Sequence, residues 1–166
     1  YKSPITNYVC SIVRERDRAR DLAQEVFLRV YRSASRYRPG RFSTWLYTIA
    51  TNLAIEELRR RQRWAGRLFP LRGPEEYPGW EPAARDDAPD SSASLLSDEA
   101  TRRVRSALHT LPPKYRVPIV LRDIQGLSYQ DVAHVTRLRV STVKTRIHRG
   151  RLLLKEKLRP YVEQMV

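Results

Sequence analysis

Near its C-terminal end the chain carries side chains suited to recognition rather than to bond-making. Ser141, Thr142, Lys144, Thr145, His148, Arg149 and Arg151 lie opposite an apolar stripe of Val143, Ile147 and Leu154, with Lys155 continuing the basic face. Short hydroxyls and cations on one helical face suit base edges and phosphates together. Upstream, Ser128-Tyr129-Gln130-Asp131 has the form of a helix start. The serine hydroxyl accepts from an orphan amide, and the aspartate favours the positive helix end. Val132 and Ala133 face inward, and the small Ala133 lets a second helix cross closely. Thr136-Arg137-Leu138-Arg139 forms the turn, Leu138 and Val140 plug it, and Ser141 caps the next helix. Cap, small residue, turn and basic face occur in the order of a helix-turn-helix, whose second helix enters the major groove. The plainer alternative is a solvated basic helix, which does not explain that order. The turn has no glycine, so Thr136 or Arg137 must take a less comfortable backbone region.

Other chemistry is absent from the pattern. His109, His134 and His148 have no metal-ligand spacing with one another or with Cys10. No glycine-rich phosphate loop and no Ser-His-Asp arrangement is visible. No catalysis, metal or cofactor is expected. A lone cysteine excludes an internal disulfide and fits a reducing, cytoplasmic setting. No apolar run approaches the roughly 18 residues needed to cross a bilayer, so no membrane insertion is expected. The chain opens at Tyr1 without a methionine or a signal peptide, and material upstream is expected to be missing.

Charge and periodicity define the elements that must carry the basic face. The 166 residues hold 32 Lys and Arg against 18 Asp and Glu, a net charge of +14 that favours a polyanionic partner. Eight acids and one base lie between Pro74 and Glu99, together with Pro78, Pro82, Pro89 and a serine-rich run. That is linker composition. Before it, Leu22, Ala23, Val26, Phe27, Val30 and Ala34 follow helical spacing. Pro39-Gly40 breaks the pattern, and Ser43 opens a second long helix with Leu46, Ile49, Ala50, Leu53, Ala54 and Leu58 on one stripe. Residues 5–16 read as the end of an earlier helix. After the linker, helices are expected over 95–110 and 113–124, with Gly126 ending the latter. The expected fold is all-α: two small helical domains, 1–67 and 97–166, joined by a flexible acidic linker, 68–96. No strand pattern or repeat is visible.

The C-terminal block resembles the corresponding domain of extracytoplasmic-function (ECF) sigma factors. The resemblance rests on Leu111-Pro112-Pro113-Lys114-Tyr115-Arg116, Leu121-Arg122-Asp123, Gly126-Leu127-Ser128-Tyr129 and the run from Val143 to Arg151. Similar text occurs in LuxR-type regulators, so the N-terminal block decides. There, Asp21-Leu22-Ala23-Gln24-Glu25-Val26-Phe27 is similar to the sigma D-L-x-Q-E-x-F signature. The segment from Phe42 to Asn52 is similar to the ECF run F-x-T-W-L-x-x-I-A-x-N.

The resemblance implies a factor that binds core RNA polymerase and directs promoter-specific initiation. It places upstream (minus-thirty-five) contacts on Ser141, Thr142, Lys144, Thr145, His148, Arg149 and Arg151. Segment 37–52 would capture the melted downstream (minus-ten) element. Asn52 would face a flipped base, and Arg38, Arg41, Arg59, Arg60 and Arg63 would hold phosphates. The loop 37–42 is about a residue shorter than the family form. Trp45 is read as core from its spacing to Ile49 and Leu53. Asp21, Gln24, Glu25 and Leu28 would grip the coiled coil of the β′ subunit, with the β flap as a second polymerase contact. An anti-sigma factor is a further implied partner, and the acidic linker would thread the polymerase cleft. A polymerase-independent repressor or activator leaves the two N-terminal signatures unexplained, and a nuclease would need a carboxylate or metal cluster that is not visible.

Overall fold

The structure is a computed structural model that describes residues 2–37, 40–64 and 95–163. Among the described residues all regular structure is helical: α1 (Lys2–Val13), α2 (Arg16–Ser33), α3 (Phe42–Trp64), α4 (Leu95–Thr110), α5 (Pro113–Ile119), α6 (Tyr129–Thr136) and α7 (Val140–Glu163). A 3-10 turn, Ala34–Arg36, follows α2, and a π turn, Val120–Ile124, continues α5.

The N-terminal block is a three-helix unit built from apolar stripes. Ile5, Tyr8, Val9 and Ile12 of α1 meet Leu22, Ala23 and Val26 of α2 and Leu46, Ala50, Leu53 and Ala54 of α3. This i, i+3, i+4, i+7 spacing buries one face per helix. The buried phenol of Tyr8 shares a 2.6 Å hydrogen bond with the Thr51 hydroxyl and packs edge-on to Tyr47. Desolvation raises its pKa above the ordinary range, so it stays neutral. Two expectations change here. Ala34 is exposed rather than core. Trp45 is half-buried in an aromatic cluster, with ring centroids 5.0 Å from Tyr37 and 5.8 Å from Phe42, rather than in the main core. Its spacing signal is real, but that end of α3 faces the 37–42 loop.

The C-terminal helices follow the expected order with local corrections. Helix α4 has the expected bounds, so the first two of its residues fall inside the range 68–96 read as linker. The helix expected over 113–124 is not uniform. Pro113 sits at its start, where a missing N–H costs nothing. Pro118 lies inside and cannot donate to the preceding turn, and the ladder then widens into the π turn. Gly126, at φ +73°, ends it. Ser128 caps α6 by accepting from the Asp131 N–H at 3.1 Å, as read from the sequence. The turn without glycine is made by Arg137 at φ +55°. Leu138 N–H bonds to Ala133 O and Arg137 N–H to His134 O, a Schellman closure on a non-glycine residue. Helices α3 and α7 each begin one residue earlier than expected, at Phe42 and Val140. The Val143 amide bonds to Arg139 O, which makes Arg139 the cap and places Ser141 inside the first turn.

The two blocks share one core. Leu108, Leu111, Val117 and Val120 belong to the same apolar cluster as the α1 residues. Arg116 lies at this junction with no exposed surface.

Candidate nucleic-acid interface

Helix α7 is positioned by three points on its inner face. Val143 and Ile147 are buried, and Gly150 lets α7 approach α5 so closely that an added Cβ would lie 2.4 Å from Ile119 Cδ1 and 3.1 Å from Tyr115 Cβ. This contact fixes the direction of the outer face. There Ser141, Lys144, Thr145, His148 and Arg149 are exposed and Thr142 is half-buried. Thr145 Oγ1 donates to Ser141 O at 3.0 Å, so its lone pairs remain available.

Arg151 differs from its neighbours. Its Nε donates to Asp123 Oδ2 at 2.9 Å and its Nη2 to Asp123 Oδ1, a bidentate pair across to the π turn. That pairing raises its pKa further. Its charge is therefore partly offset.

Two residues with no expected role, Arg122 and Tyr129, stand beside this face. The Tyr129 ring has Arg122 Cζ 4.6 Å and Lys144 Nζ 5.7 Å from its centroid. Such cation–π contacts hold a long side chain in place for about 0.5–1 kcal/mol at an exposed site. Arg122 also donates to Leu127 O at 2.7 Å. The sequence signal for Tyr129 was its place as the first residue after the Ser128 cap.

The N-terminal reader is brought together in part. Asn52 and Arg59 are exposed on α3. Arg41 is exposed, yet Nη1 lies 2.7 Å from Asp131 Oδ2 of α6. The Asp131 carboxyl is desolvated, but hydrogen bonds from Ser128 and Thr44 and the charge of Arg41 outweigh that and lower its pKa. Arg60 is engaged with Glu57 through Nε at 3.1 Å and Nη2 at 3.0 Å. Arg38, the side chain of Arg63 and the acidic stretch 68–94 lie outside the described residues. Tyr37, Phe42 and Trp45 form the aromatic cluster at the start of α3, and the Tyr37 hydroxyl donates to Gly40 O at 2.7 Å.

Glu57 organises the outer side of this block. It is 3% exposed and accepts from Arg18, Arg60 and Arg61. Burial alone would raise its carboxyl, but hydrogen bonds from Arg60, Arg18 and Arg61 overcome this and hold it at about 2. Beside it runs a cleft of about 530 Å³ lined by Asp21, Gln24, Glu25 and Leu28 of α2 and by Leu53, Glu56 and Arg60 of α3. All four residues read as polymerase-binding from the sequence thus meet in one place. Leu28 is 50% exposed, and Tyr31, one turn on, is 84% exposed. Sequence reasoning missed the α3 wall, because the pairing of α2 with α3 is a tertiary fact.

Comparison with known proteins places both blocks. Residues 1–64 match the family model for Sigma-70 region 2, and residues 101–154 that for Sigma-70 region 4. The chain is 41% identical to the ECF RNA polymerase sigma factor SigE of Mycolicibacterium smegmatis over 84% of this chain, spanning about half (51%) of that relative's length. It is 35% identical to the ECF RNA polymerase sigma factor SigW of Bacillus subtilis over 96% of this chain and 85% of that relative. The fold is similar to that of the sigma factor RpoE of Bartonella quintana, solved in complex with the anti-sigma factor NepR. The TM-score is 0.71 at 24% identity, with 95% of this chain and 91% of that one covered. On these matches, the chain belongs to the ECF family of RNA polymerase sigma factors.

Proposed function

We propose that this chain is an alternative sigma subunit that binds core RNA polymerase and directs it to a narrow set of promoters. The observation that carries the reading is one chain presenting an exposed hydroxyl-and-cation face on α7, an exposed amide and cations on α3, and a separate acid-and-leucine cleft between α2 and α3. Polymerase performs the chemistry. Residues 1–67 act as the polymerase-binding and downstream-element domain, 68–96 as the linker and 97–166 as the upstream-element domain. Ser141, Thr142, Lys144, Thr145, His148 and Arg149 read or flank the upstream element. Arg151, held by Asp123, is suited to a phosphate rather than a base, and Arg122 and Tyr129 support the same edge. Asn52 faces the melted downstream element, with Arg38, Arg41, Arg59, Arg60 and Arg63 along its backbone. Asp21, Gln24, Glu25 and Leu28 hold the β′ coiled coil, while the β flap receives the C-terminal domain.

No described helix is long and apolar enough to cross a membrane. A cytoplasmic location and control by an anti-sigma factor complete the proposal. Co-purification with core polymerase tests its first step. The wild-type chain should be retained, and Leu28→Asp should be lost without loss of helicity. Equal retention of both would remove the cleft from the account.

A further inference from the structure

A cavity of about 420 Å³ opens where α1, α4 and the π turn meet. None of its lining residues belongs to the α7 face or to the α2–α3 cleft. Val104, Leu108, Val120 and Ile124 form its apolar wall, and Asn7, Arg105 and Gln125 are among its polar lining. Leu108 and Val120 are buried, whereas Val104 is 39% and Ile124 54% exposed. Single exposed apolar side chains are ordinary, but here two face water in one concave place. Sites that enclose small molecules span roughly 300–1,000 Å³ and combine apolar walls with a few placed polar groups. This cavity has that size and that composition.

The polar groups select for an acceptor with negative charge. Arg105 is exposed, and no ion pair among the described residues uses it. Glu99, on the same helix, is tied to Arg103 instead. Gln125 Oε1 accepts from the Tyr47 hydroxyl, which leaves its amide NH2 to donate. Ser11 Oγ already donates to Tyr8 O at 2.6 Å. Next to Leu108 the positive charge continues inward. Arg116, with no exposed surface, donates through Nη1 to His109 O at 3.0 Å and through Nη2 to Ile12 O at 2.9 Å, closing the end of α1. Both acceptors are neutral carbonyls, so they do not cancel its charge. Burial, and then the charges of Arg116, Arg14 and Arg105, hold the His109 imidazole at about 3. Three cations therefore set the field at this end of the cavity, and charges act over longer range where water is excluded.

We propose that this cavity binds a small amphiphilic anion, an apolar chain ending in one carboxylate. The chain lies against Val104, Leu108, Val120 and Ile124, and the carboxylate meets the Arg105 guanidinium and the Gln125 amide. An uncharged apolar ligand would leave Arg105 unused, and a compact inorganic anion would leave the apolar wall wet. The inference does not rest on the sigma-factor reading, because binding is a property of the free chain.

Calorimetric titration of the full chain with octanoate, octanol and sulfate tests it. The wild-type chain should bind octanoate saturably, one per chain, with a Kd below about 1 mM. Octanol and sulfate should each bind more weakly. Arg105→Gln should weaken octanoate about tenfold and leave octanol unchanged. Arg20→Gln removes another exposed cation, on α2, and should leave octanoate binding as in the wild type. Ile124→Ser should weaken octanoate and octanol alike. All three positions are exposed, and far-UV helicity checks that each variant folds. Absence of saturable octanoate binding overturns the proposal. Equal losses in Arg105→Gln and Arg20→Gln would reduce the effect to net charge and overturn it as well. Sulfate or octanol binding as tight as octanoate, or wild-type octanoate binding by Ile124→Ser, would remove the amphiphile from the account.

Discussion

Gly150→Ala separates intrinsic helix preference from the packing that aims α7. In an open helix position the change should stabilise by about 0.5–1 kcal/mol, because alanine loses less backbone entropy. Here the new Cβ would stand 2.4 Å from Ile119 Cδ1 and 3.1 Å from Tyr115 Cβ. Ile119 is 2% exposed, so its terminal methyl has little room to swing away. The tyrosine Cβ is tied to the α5 backbone and moves only if the helix does. Overpacking of this kind costs about 1–3 kcal/mol, leaving a net loss of about 1–2 kcal/mol after the helix term. Ile119→Val deletes the closer of the two clashing atoms at its own cost of about 1 kcal/mol. The double variant should then be no less stable than Gly150→Ala alone, a coupling of about 1 kcal/mol. Urea unfolding of the four proteins measures this, and binding to an upstream-element duplex reports the helix direction. Stabilisation by Gly150→Ala in the wild-type background, or strict additivity, would refute the close-crossing argument.

Other expectations follow from single groups. Glu57→Gln removes the charge on which three arginines converge. It should cost about 2 kcal/mol, less than the roughly 3–5 kcal/mol of a fully buried pair because those arginines reach water; an unchanged urea midpoint at pH 7 would contradict it. The same carboxyl has a folded pKa of about 2 against 4.5 unfolded, so its contribution is present above pH 4.5 and is lost as pH falls through that range. His109 has its pKa lowered from 6.5 to about 3 by burial and by the charges of Arg116, Arg14 and Arg105. Below pH 6.5 the unfolded chain gains a proton that the folded one refuses, so stability should fall by about 2 kcal/mol from pH 7 to pH 5 at about 1.4 kcal/mol per unit. Denaturant midpoints in His109→Gln should show a flatter slope over that window; an equal slope would mean another group is responsible. Lys144→Ala and Arg149→Ala should weaken upstream-element binding. A lost phosphate contact lowers the log–log salt slope by roughly 0.9, and a lost base contact costs about 1–3 kcal/mol of discrimination. Wild-type promoter selection by both variants would place the reading face elsewhere.

Much of the secondary structure was legible because it is local. Apolar spacing marked α2, α3 and α7, the bounds of α4 were read directly, and the missing glycine in the turn pointed to Arg137 or its neighbour. That the candidate residues of α2, and those of α7, share a face was legible for the same reason, since side chains three or four apart on a helix lie together. What was not legible is long-range. Asp131 reads as a capping acid, and it is one, but it also binds Thr44 and Arg41 from a different block. Arg116 reads as one letter of a motif, and nothing local says that it ends α1. Glu57 sits in a basic run and reads as incidental, yet three arginines fold onto it. Ser141 and Pro118 show the smaller local limit. A cap can shift by two residues, and a proline inside a helix can be absorbed by a π turn rather than a break.

Run-off transcription with core polymerase on a promoter library tests the central claim most directly. The full chain should direct initiation from a small set of templates sharing an upstream and a downstream element. Lys144→Ala should reduce that output, and Leu28→Asp should abolish it. A folded wild-type chain that directs no initiation from any template would contradict the account.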